Sequence, residues 1–186
     1  MFTLKVDHEI ELQLFQRHHT LQLYQLVEEN REHLRRWLPW VDSMTSPYQF
    51  ESVIPVWLNQ FAEGNACNLG IVYKGTLVGS IGLHQIDWYN KIASIGYYLA
   101  KNAEGHGIIT RTVKGVLNYA FYDLGLNRIE IRCGVENYKS QAIPERLGFK
   151  KEGTIRDGEH LNGYFHDIII YSKLAREWNG NHAKAY

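Results

Sequence analysis

The sequence lacks an excess of charge of either sign: 20 Lys and Arg residues balance 20 Asp and Glu residues, so the formal net charge is zero. A neutral chain has no strong non-specific attraction for nucleic acid or anionic lipid, and we expect neither as a direct partner. No apolar run approaches the roughly 20 residues of a membrane-spanning helix. The stretch 1–11 contains acidic residues and no apolar run, so we expect no signal peptide.

Cysteine and metal-binding patterns are also scarce. Cys67 and Cys133 are the two cysteines, and each lies in an alternating apolar segment, which predicts buried free thiols and a cytoplasmic protein. The nine histidines match no zinc spacing, so we expect no metal. No repeat, linker or biased tract interrupts the 186 residues. We expect a single domain over 1–178 and a short C-terminal tail over 179–186.

The first third of the chain has the composition of an ordinary globular protein and is mostly helical by pattern. Alternation of apolar and polar residues over 3–15 predicts one half-buried strand. Thr20 is a suitable start for a helix, and a second helical stretch continues through Leu34. Ser46 and Gln49 form a capping-box pair around Pro47, which predicts the start of a third helix there.

The rest of the chain alternates between strands and helices. Turn residues separate three segments that read as an antiparallel meander, and an amphipathic helix, a strand and a short helix follow before a final hairpin with a turn at Asp157-Gly158. The predicted meander strands are 66–73, 76–86 and 91–99; the later elements are a helix from Ile109 to Leu124, a strand at 129–135, a helix at 138–147, and strands at 149–156 and 164–174. This order predicts an α/β domain with a central mixed sheet flanked by helices.

A glycine-rich turn joins the third meander strand to the amphipathic helix. Gly105 and Gly107 allow backbone N–H groups to point into one concavity, and the helix N-terminus behind them adds unpaired donors. These features suit the pyrophosphate of a nucleotide cofactor, although the same residues also fit a simple tight turn. No Gly-Lys-Ser/Thr follows, which excludes a Walker motif, and the third glycine of the dinucleotide fingerprint is missing.

Four motifs occur together, in this order along the chain. They are Leu34-Arg-Arg-Trp-Leu-Pro-Trp40, Gly105-His-Gly107, Asn137-x-x-Ser140 running to Leu147-Gly-Phe149, and Leu161-Asn-Gly163. In this combination the sequence resembles the GNAT superfamily of N-acetyltransferases and, within it, the RimJ/RimL-type ribosomal-protein N-acetyltransferases. The motifs span residues 34 to 163, so the resemblance covers nearly the whole chain.

The resemblance implies a GNAT-like acyltransferase fold and acetyl-CoA as co-substrate. The strand ending near Leu99 would splay from the strand at 129–135, and the pantetheine arm would lie in that gap. Asn137 would bind this arm, and Ser140 would lie near the sulfur. The implied cofactor-binding residues are Leu99, Glu104, Gly105, His106, Gly107, Ile108, Ile109, Thr110, Asn137 and Ser140.

Two positions depart from the family pattern. Asn102 stands where the family loop usually opens with a longer Gln or Arg, which puts a phosphate contact from this position in doubt. Pro144 stands where many superfamily members have a tyrosine that protonates the departing thiolate. Proline has no proton to give, so that role must pass to another group or to none.

Acetyl transfer from a thioester requires a neutral amine and a donor for the developing oxyanion. Backbone N–H groups at about 97–99 are candidates for the oxyanion. The resemblance implies that Glu159 is the base and Ser140 the acid. The alternatives are that Glu159 is an exposed turn carboxylate and Ser140 a helix-start hydroxyl, with His84 and Asp87 as the fallback pair.

The acceptor is the least determined part of the prediction. The resemblance places Trp37 and Trp40 beside the acceptor, and we expect His84 there as well, although the tryptophans also fit a buried corner and His84 a sheet histidine. Tyr97 and Tyr98 alternate faces, so we expect one to reach the cleft and the other to pack. The preferred acceptor is a protein N-terminus, the rivals are a small amine or a non-catalytic acetyl-CoA-binding module, and the chain is compatible with a homodimer.

Overall fold

The computed structural model describes residues 2–179. Of the predicted tail over 179–186, residues 180–186 lie outside the described residues. The helices and strands follow the predicted alternation closely. In chain order they are β1 (Thr3–Lys5), β2 (Ile10–Leu14), α1 (Thr20–Glu29), α2 (Arg31–Leu34), α3 (Pro47–Ala62), β3 (Cys67–Tyr73), β4 (Thr76–Asp87), β5 (Ile92–Leu99), α4 (Ile108–Asn118), β6 (Arg128–Gly134), α5 (Tyr138–Arg146), β7 (Lys150–Leu161) and β8 (Tyr164–Leu174).

All eight strands belong to one sheet with the order β1-β2-β3-β4-β5-β6-β8-β7. β5 and β6 are parallel, and every other neighbouring pair is antiparallel. The predicted mixed sheet and the meander of β3, β4 and β5 are therefore confirmed. The parallel pair is the point at which α4 crosses from one half of the sheet to the other.

The helices cover both faces of the sheet. Tyr97 and Tyr98 show this directly, because consecutive side chains of a strand point to opposite faces. The Tyr97 hydroxyl reaches Ser140 in α5, whereas the Tyr98 ring lies 5.6 Å from the ring of Trp40. The predicted capping box is present at α3, where Gln49 Oε1 accepts from the Ser46 backbone N–H at 2.6 Å.

Two predictions about strands are wrong. The segment 3–15 is a hairpin and not one strand, because Asp7 Oδ1 accepts from the N–H groups of Glu9 and Ile10 and turns the chain between β1 and β2. The second error is the turn predicted at Asp157-Gly158. The chain continues through this pair as part of β7, with a bulge between Ile155 and Glu159, and turns at Asn162-Gly163.

Candidate active site

A gap opens in the sheet where β5 and β6 diverge. Their pairing runs from Ile92↔Arg128 to Ile95↔Ile131, while β5 continues to Leu99 and β6 to Gly134. The Ala100 N–H donates to Val78 O on the β4 side at 2.7 Å. Because N–H directions alternate along a strand, the N–H groups of Tyr97 and Leu99 face the gap. They are donors that a thioester oxygen could reach.

A cavity of about 890 Å³ occupies this gap. Every cofactor-binding residue implied by the resemblance lines it except His106, whose ring lies 6.2 Å from the ring of Tyr73. Tyr97 and Tyr98 both line it, but their side chains point to opposite faces of β5: the Tyr97 hydroxyl reaches Ser140, and the Tyr98 ring packs against Trp40. The lining residues are His33, Leu34, Trp37, Leu38, Tyr97, Tyr98, Leu99, Glu104, Gly105, Gly107, Ile108, Ile109, Thr110, Arg111, Asn137, Lys139, Ser140, Ala142, Ile143 and Arg146.

The glycine turn leaves its backbone accessible from the cavity. Gly105 and Gly107 have φ values of +82° and +68°, and a Cβ at either position would meet no atom within 4 Å. Gly107 is the N-cap of α4, whose first-turn N–H groups have no partner within the helix. An open backbone, free N–H groups and a positive helix end together fit the pyrophosphate of acetyl-CoA.

Charged side chains surround this turn, and all of them except Glu104 were missed by the prediction from sequence. Glu104 lies between Lys139 Nζ at 2.6 Å and His33 Nε2 at 3.3 Å. Arg111 Nη1 lies 2.9 Å from carboxylate oxygens of both Asp7 and Glu9, which ties α4 to the β1–β2 hairpin. The only sequence signal for such a role is the position of Lys139 inside the Asn137-x-x-Ser140 motif.

A third cation, Arg146, lies beside the same turn. Its Nη1 donates to Thr110 Oγ1 at 2.9 Å, which joins the end of α5 to the first turn of α4. We call the glycine turn and the first turn of α4 the cofactor cradle. Contacts with α2, α5 and the β1–β2 hairpin hold its shape.

Ser140 lies at the start of α5 with its hydroxyl in a polar cluster. Asn137 caps the helix, because its Oδ1 accepts from the Ser140 N–H at 3.2 Å. Any donation by Asn137 to a ligand must therefore come from Nδ2. Ser140 Oγ lies 3.3 Å from Cys133 Sγ and 3.4 Å from Tyr97 Oη. Pro144 is buried within α5 and has no group that could replace the family's tyrosine.

Glu159 lies outside the cavity lining, on the hairpin formed by β7 and β8. It is half-buried and pairs in register with His166, and burial raises the pKa of its carboxyl. Asn162 Nδ2 lies 3.5 Å from the carbonyl oxygens of Arg35 and Arg36. This contact places the tip of the hairpin beside the turn that carries Trp37.

The implied acceptor residues are not all brought together. Trp37 lines the cavity, whereas Trp40 packs its ring 6.5 Å from that of Phe50 and does not line the cavity. His84 is also outside the lining, and burial lowers the pKa of its ring. Its proposed partner Asp87 accepts from the N–H and Nδ2 of Asn90 and thereby stabilises the β4–β5 turn. No hydrogen bond or ion pair joins His84 to Asp87 within residues 2–179, and the fallback pair stays a prediction.

Neither a metal site nor a membrane span was found among residues 2–179. No three His, Cys, Asp or Glu side chains in this range are grouped closely enough to hold a metal ion. Within the same range, no helix is both long and apolar enough to cross a membrane.

The sequence and the fold both match known acetyltransferases. The family model described as "Acetyltransferase (GNAT) domain" matches residues 9–150. The chain belongs to the GNAT acetyltransferase family. The resemblance carried by the four sequence motifs is thereby confirmed, and the protein is an acetyltransferase.

Sequence similarity to known relatives covers nearly the whole length of this GNAT protein. It is 42% identical over 181 residues to "Putative ribosomal N-acetyltransferase YdaF" of Bacillus subtilis (strain 168), with 97% of this chain and 99% of the relative covered. It is 29% identical over 172 residues to "Ribosomal-protein-serine acetyltransferase" of Escherichia coli (strain K12), with 92% and 96% covered.

A solved structure agrees with these relatives. RimL, described as a ribosomal L7/L12 alpha-N-protein acetyltransferase in complex with coenzyme A, matches with a TM-score of 0.91 at 26% identity. The match covers 95% of this chain and 100% of that chain. The predicted GNAT fold is therefore confirmed for nearly the whole chain.

Proposed function

We propose that this GNAT acetyltransferase moves the acetyl group of acetyl-CoA to the N-terminal α-amine of a protein, preferably a ribosomal protein. The observation that carries the proposal is the cavity in the β5–β6 gap, which extends from the glycine turn to Ser140. One end offers backbone N–H groups to a pyrophosphate, and the other end offers a hydroxyl where the thioester would lie. The two relatives described above are named for ribosomal acetylation, which supports the acceptor.

The residues divide the chemistry between them. The N–H groups of Tyr97 and Leu99 stabilise the oxyanion that forms when the amine nitrogen attacks the thioester carbonyl. Ser140 donates a hydrogen bond to the sulfur as the C–S bond breaks and its electron pair stays on sulfur. Glu159 receives the amine proton through a water molecule, which its position outside the cavity lining requires.

The pKa of the acceptor favours an α-amine over a lysine side chain. An α-amine has a pKa near 7.7–8.0, and a lysine near 10.4, so only the α-amine is substantially neutral at physiological pH. A single carboxylate that acts through water is adequate for the α-amine. Glu104 and His33, which line the cavity, are paired with each other, and Glu104 is also paired with Lys139.

The decisive experiment compares acceptors at fixed acetyl-CoA concentration. The panel contains N-terminal peptides of ribosomal proteins that include an internal lysine, and the same peptides with a blocked N-terminus. Spermidine and free amino acids complete the panel. We expect kcat/KM for the free N-terminal peptides to exceed the others by at least about tenfold. Mass spectrometry should place the acetyl group on the α-nitrogen.

Two results would contradict the proposal. A kcat/KM for small amines that exceeds that for every peptide by an order of magnitude would show that the protein is a small-molecule acetyltransferase. Equal rates for free and blocked peptides would show that lysine, and not the α-amine, is the acceptor.

A further inference from the structure

Three polar side chains from different elements converge beside the cavity, and two of them, Tyr97 and Ser140, line it. Tyr97 comes from β5, Cys133 from β6 and Ser140 from α5. Tyr97 Oη lies 3.0 Å from the Ser140 carbonyl oxygen and 3.4 Å from Ser140 Oγ. Cys133 Sγ lies 3.3 Å from Ser140 Oγ on the other side. Ser140 is therefore contacted by both strands that border the gap.

The side chains of Tyr97, Cys133 and Ser140 each have one proton to donate in a hydrogen bond. The Tyr97 hydroxyl has one proton, and the Ser140 carbonyl accepts it. Either Cys133 Sγ or Ser140 Oγ can be the donor in their 3.3 Å contact. When the thiol donates, the acceptor left for the Ser140 proton is Tyr97 Oη at 3.4 Å, which is long for a bond between two hydroxyl groups. This proton is held weakly and can turn to a better acceptor.

Both neighbours stay neutral around pH 7. Burial raises the pKa of Tyr97, and burial raises the pKa of Cys133 to about 11. Neither group therefore places a negative charge beside a departing thiolate. Both keep their protons, so the donor arrangement around Ser140 does not change over the working pH range.

We propose that Tyr97 and Cys133 are positioning residues that aim the Ser140 hydroxyl at the sulfur of the acetyl donor. The inference rests on the proposed function, because it requires that sulfur to lie beside Ser140. Tyr97 fixes the first turn of α5 through the Ser140 carbonyl, and Cys133 occupies a lone pair of Ser140 Oγ. The Ser140 proton is then directed into the cavity. Ser140 gives a hydrogen bond only: CoA leaves as a thiolate and takes its proton from solvent, while the amine proton goes to Glu159.

The first test compares two tyrosines that both connect the sheet to α5. Tyr97→Phe removes the contact with Ser140, whereas Tyr171→Phe removes a 2.9 Å bond to Glu145, and neither Tyr171 nor Glu145 lines the cavity. We expect Tyr97→Phe to lower the single-turnover rate about tenfold with KM for acetyl-CoA unchanged within twofold. Tyr171→Phe should leave both values unchanged. Equal rates for Tyr97→Phe and the wild type would overturn the inference.

A double-mutant cycle then tests whether Tyr97 acts through Ser140. Ser140→Ala should lower the rate about 10²-fold, and adding Tyr97→Phe should lower it no further than twofold. A fully multiplicative loss in the double variant would refute the positioning role. A Ser140→Ala variant with the normal rate would instead remove Ser140 from the proposed function.

The two cysteines give an independent pair of variants, since each removes one buried thiol. Cys133→Ala should slow the single-turnover step about threefold to fivefold, while Cys67→Ala should not change it. Melting temperatures of all variants separate an altered rate from loss of fold. The same rate for Cys133→Ala and Cys67→Ala would exclude Cys133 from the inference.

Discussion

At the scale of single residues, Glu159 is half-buried in an environment that disfavours the charged form of its carboxyl. Burial raises the pKa of its carboxyl, so the charged form is less stable in the folded protein than in the unfolded chain. Folding stability therefore falls as the pH rises above the ordinary pKa of this carboxyl and the group becomes charged. A residue retained at such a cost is a reasonable candidate for chemistry.

We expect Glu159→Gln to lower kcat/KM by about 10²-fold or more, with the largest loss below pH 7, where the acceptor amine is mostly protonated. Its melting temperature should equal or exceed that of the wild type, since the substitution removes a buried charge. The matched control is Asp157→Asn. This exposed carboxylate lies on the same strand at φ +50°, a conformation that asparagine tolerates. Equal activity in the two variants would remove Glu159 from the mechanism.

The contact between Tyr97 and Ser140 shows why parts of the site could not be predicted. The two residues lie 43 positions apart and meet because β5 and α5 border the same gap. The glycine turn and the Asn137-x-x-Ser140 motif are local patterns, and the sequence contains them whole. A pairing between a strand residue and a helix residue depends on how the elements pack, which no local pattern records.

At the scale of elements, the N-terminus of α4 offers a controlled test of the cofactor cradle. Gly107 and Gly125 have nearly the same left-handed φ, +68° and +66°, and a Cβ at either one meets no atom within 4 Å. Gly107 lines the cavity and Gly125 does not. Alanine at either position should cost about 1–2 kcal/mol of stability through backbone strain.

We expect only Gly107→Ala to weaken acetyl-CoA binding, by about tenfold or more in calorimetry, because its methyl group faces the pyrophosphate. Gly125→Ala should bind acetyl-CoA as the wild type does. If both variants lose the same affinity, strain and not obstruction is responsible, and the cradle is misassigned.

The hairpin of β7 and β8 shows the limit of turn prediction. The chain offers two equivalent signals, Asp157-Gly158 and Asn162-Gly163, and each suits a two-residue turn. Asn162 and Gly163 take φ values of +53° and +83° and make the turn. Asp157 instead begins a bulge, where its N–H donates to Asp167 on β8. Pairing with β8 therefore decides which of the two signals becomes the turn. Because the chain turns at Asn162-Gly163, Glu159 lies within strand β7.

The edge strand β7 is tied to the sheet by a charged contact whose strength depends on pH. Arg128 of β6 binds Glu152 of β7 through both carboxylate oxygens, at 2.9 and 2.6 Å, and Ser172 of β8 donates to the same carboxylate. The Arg128 hydrogen bond lowers the pKa of Glu152 to about 2. The stabilisation is therefore complete above the ordinary pKa of 4.5 and is lost as the pH falls toward 2.

We expect Glu152→Gln to lower the free energy of unfolding by about 1 kcal/mol or less at pH 7, because the pair is partly exposed. Urea midpoints of the variant and the wild type should converge below pH 4.5. Glu32→Gln is the control, since Glu32 forms an exposed pair with Arg35 within one helical turn. A difference that stays constant down to pH 3 would show that packing, and not the charge of Glu152, is responsible.

At the scale of the whole molecule, the sheet consists of two parts joined by little backbone pairing. Strands β1 to β5 form one part and β6, β8 and β7 the other, and only residues 92–95 and 128–131 pair between them. A ligand in the gap would contact both parts where they have no bonds to each other. Acetyl-CoA should therefore stabilise the domain as a whole and not only the residues that it touches.

At 100 times its Kd, acetyl-CoA should add about 2.7 kcal/mol to the free energy of unfolding. For a chain of this size that raises the melting temperature by about 5–10 °C. Hydrogen exchange should slow most at the N–H groups of Tyr97 and Leu99 and at those within 132–134 that face the gap, because they have no strand partner there. Exchange in β2 and β3, which pair along most of their length, gives the internal control. A rise in melting temperature with no slowing at the gap would mean that acetyl-CoA binds elsewhere.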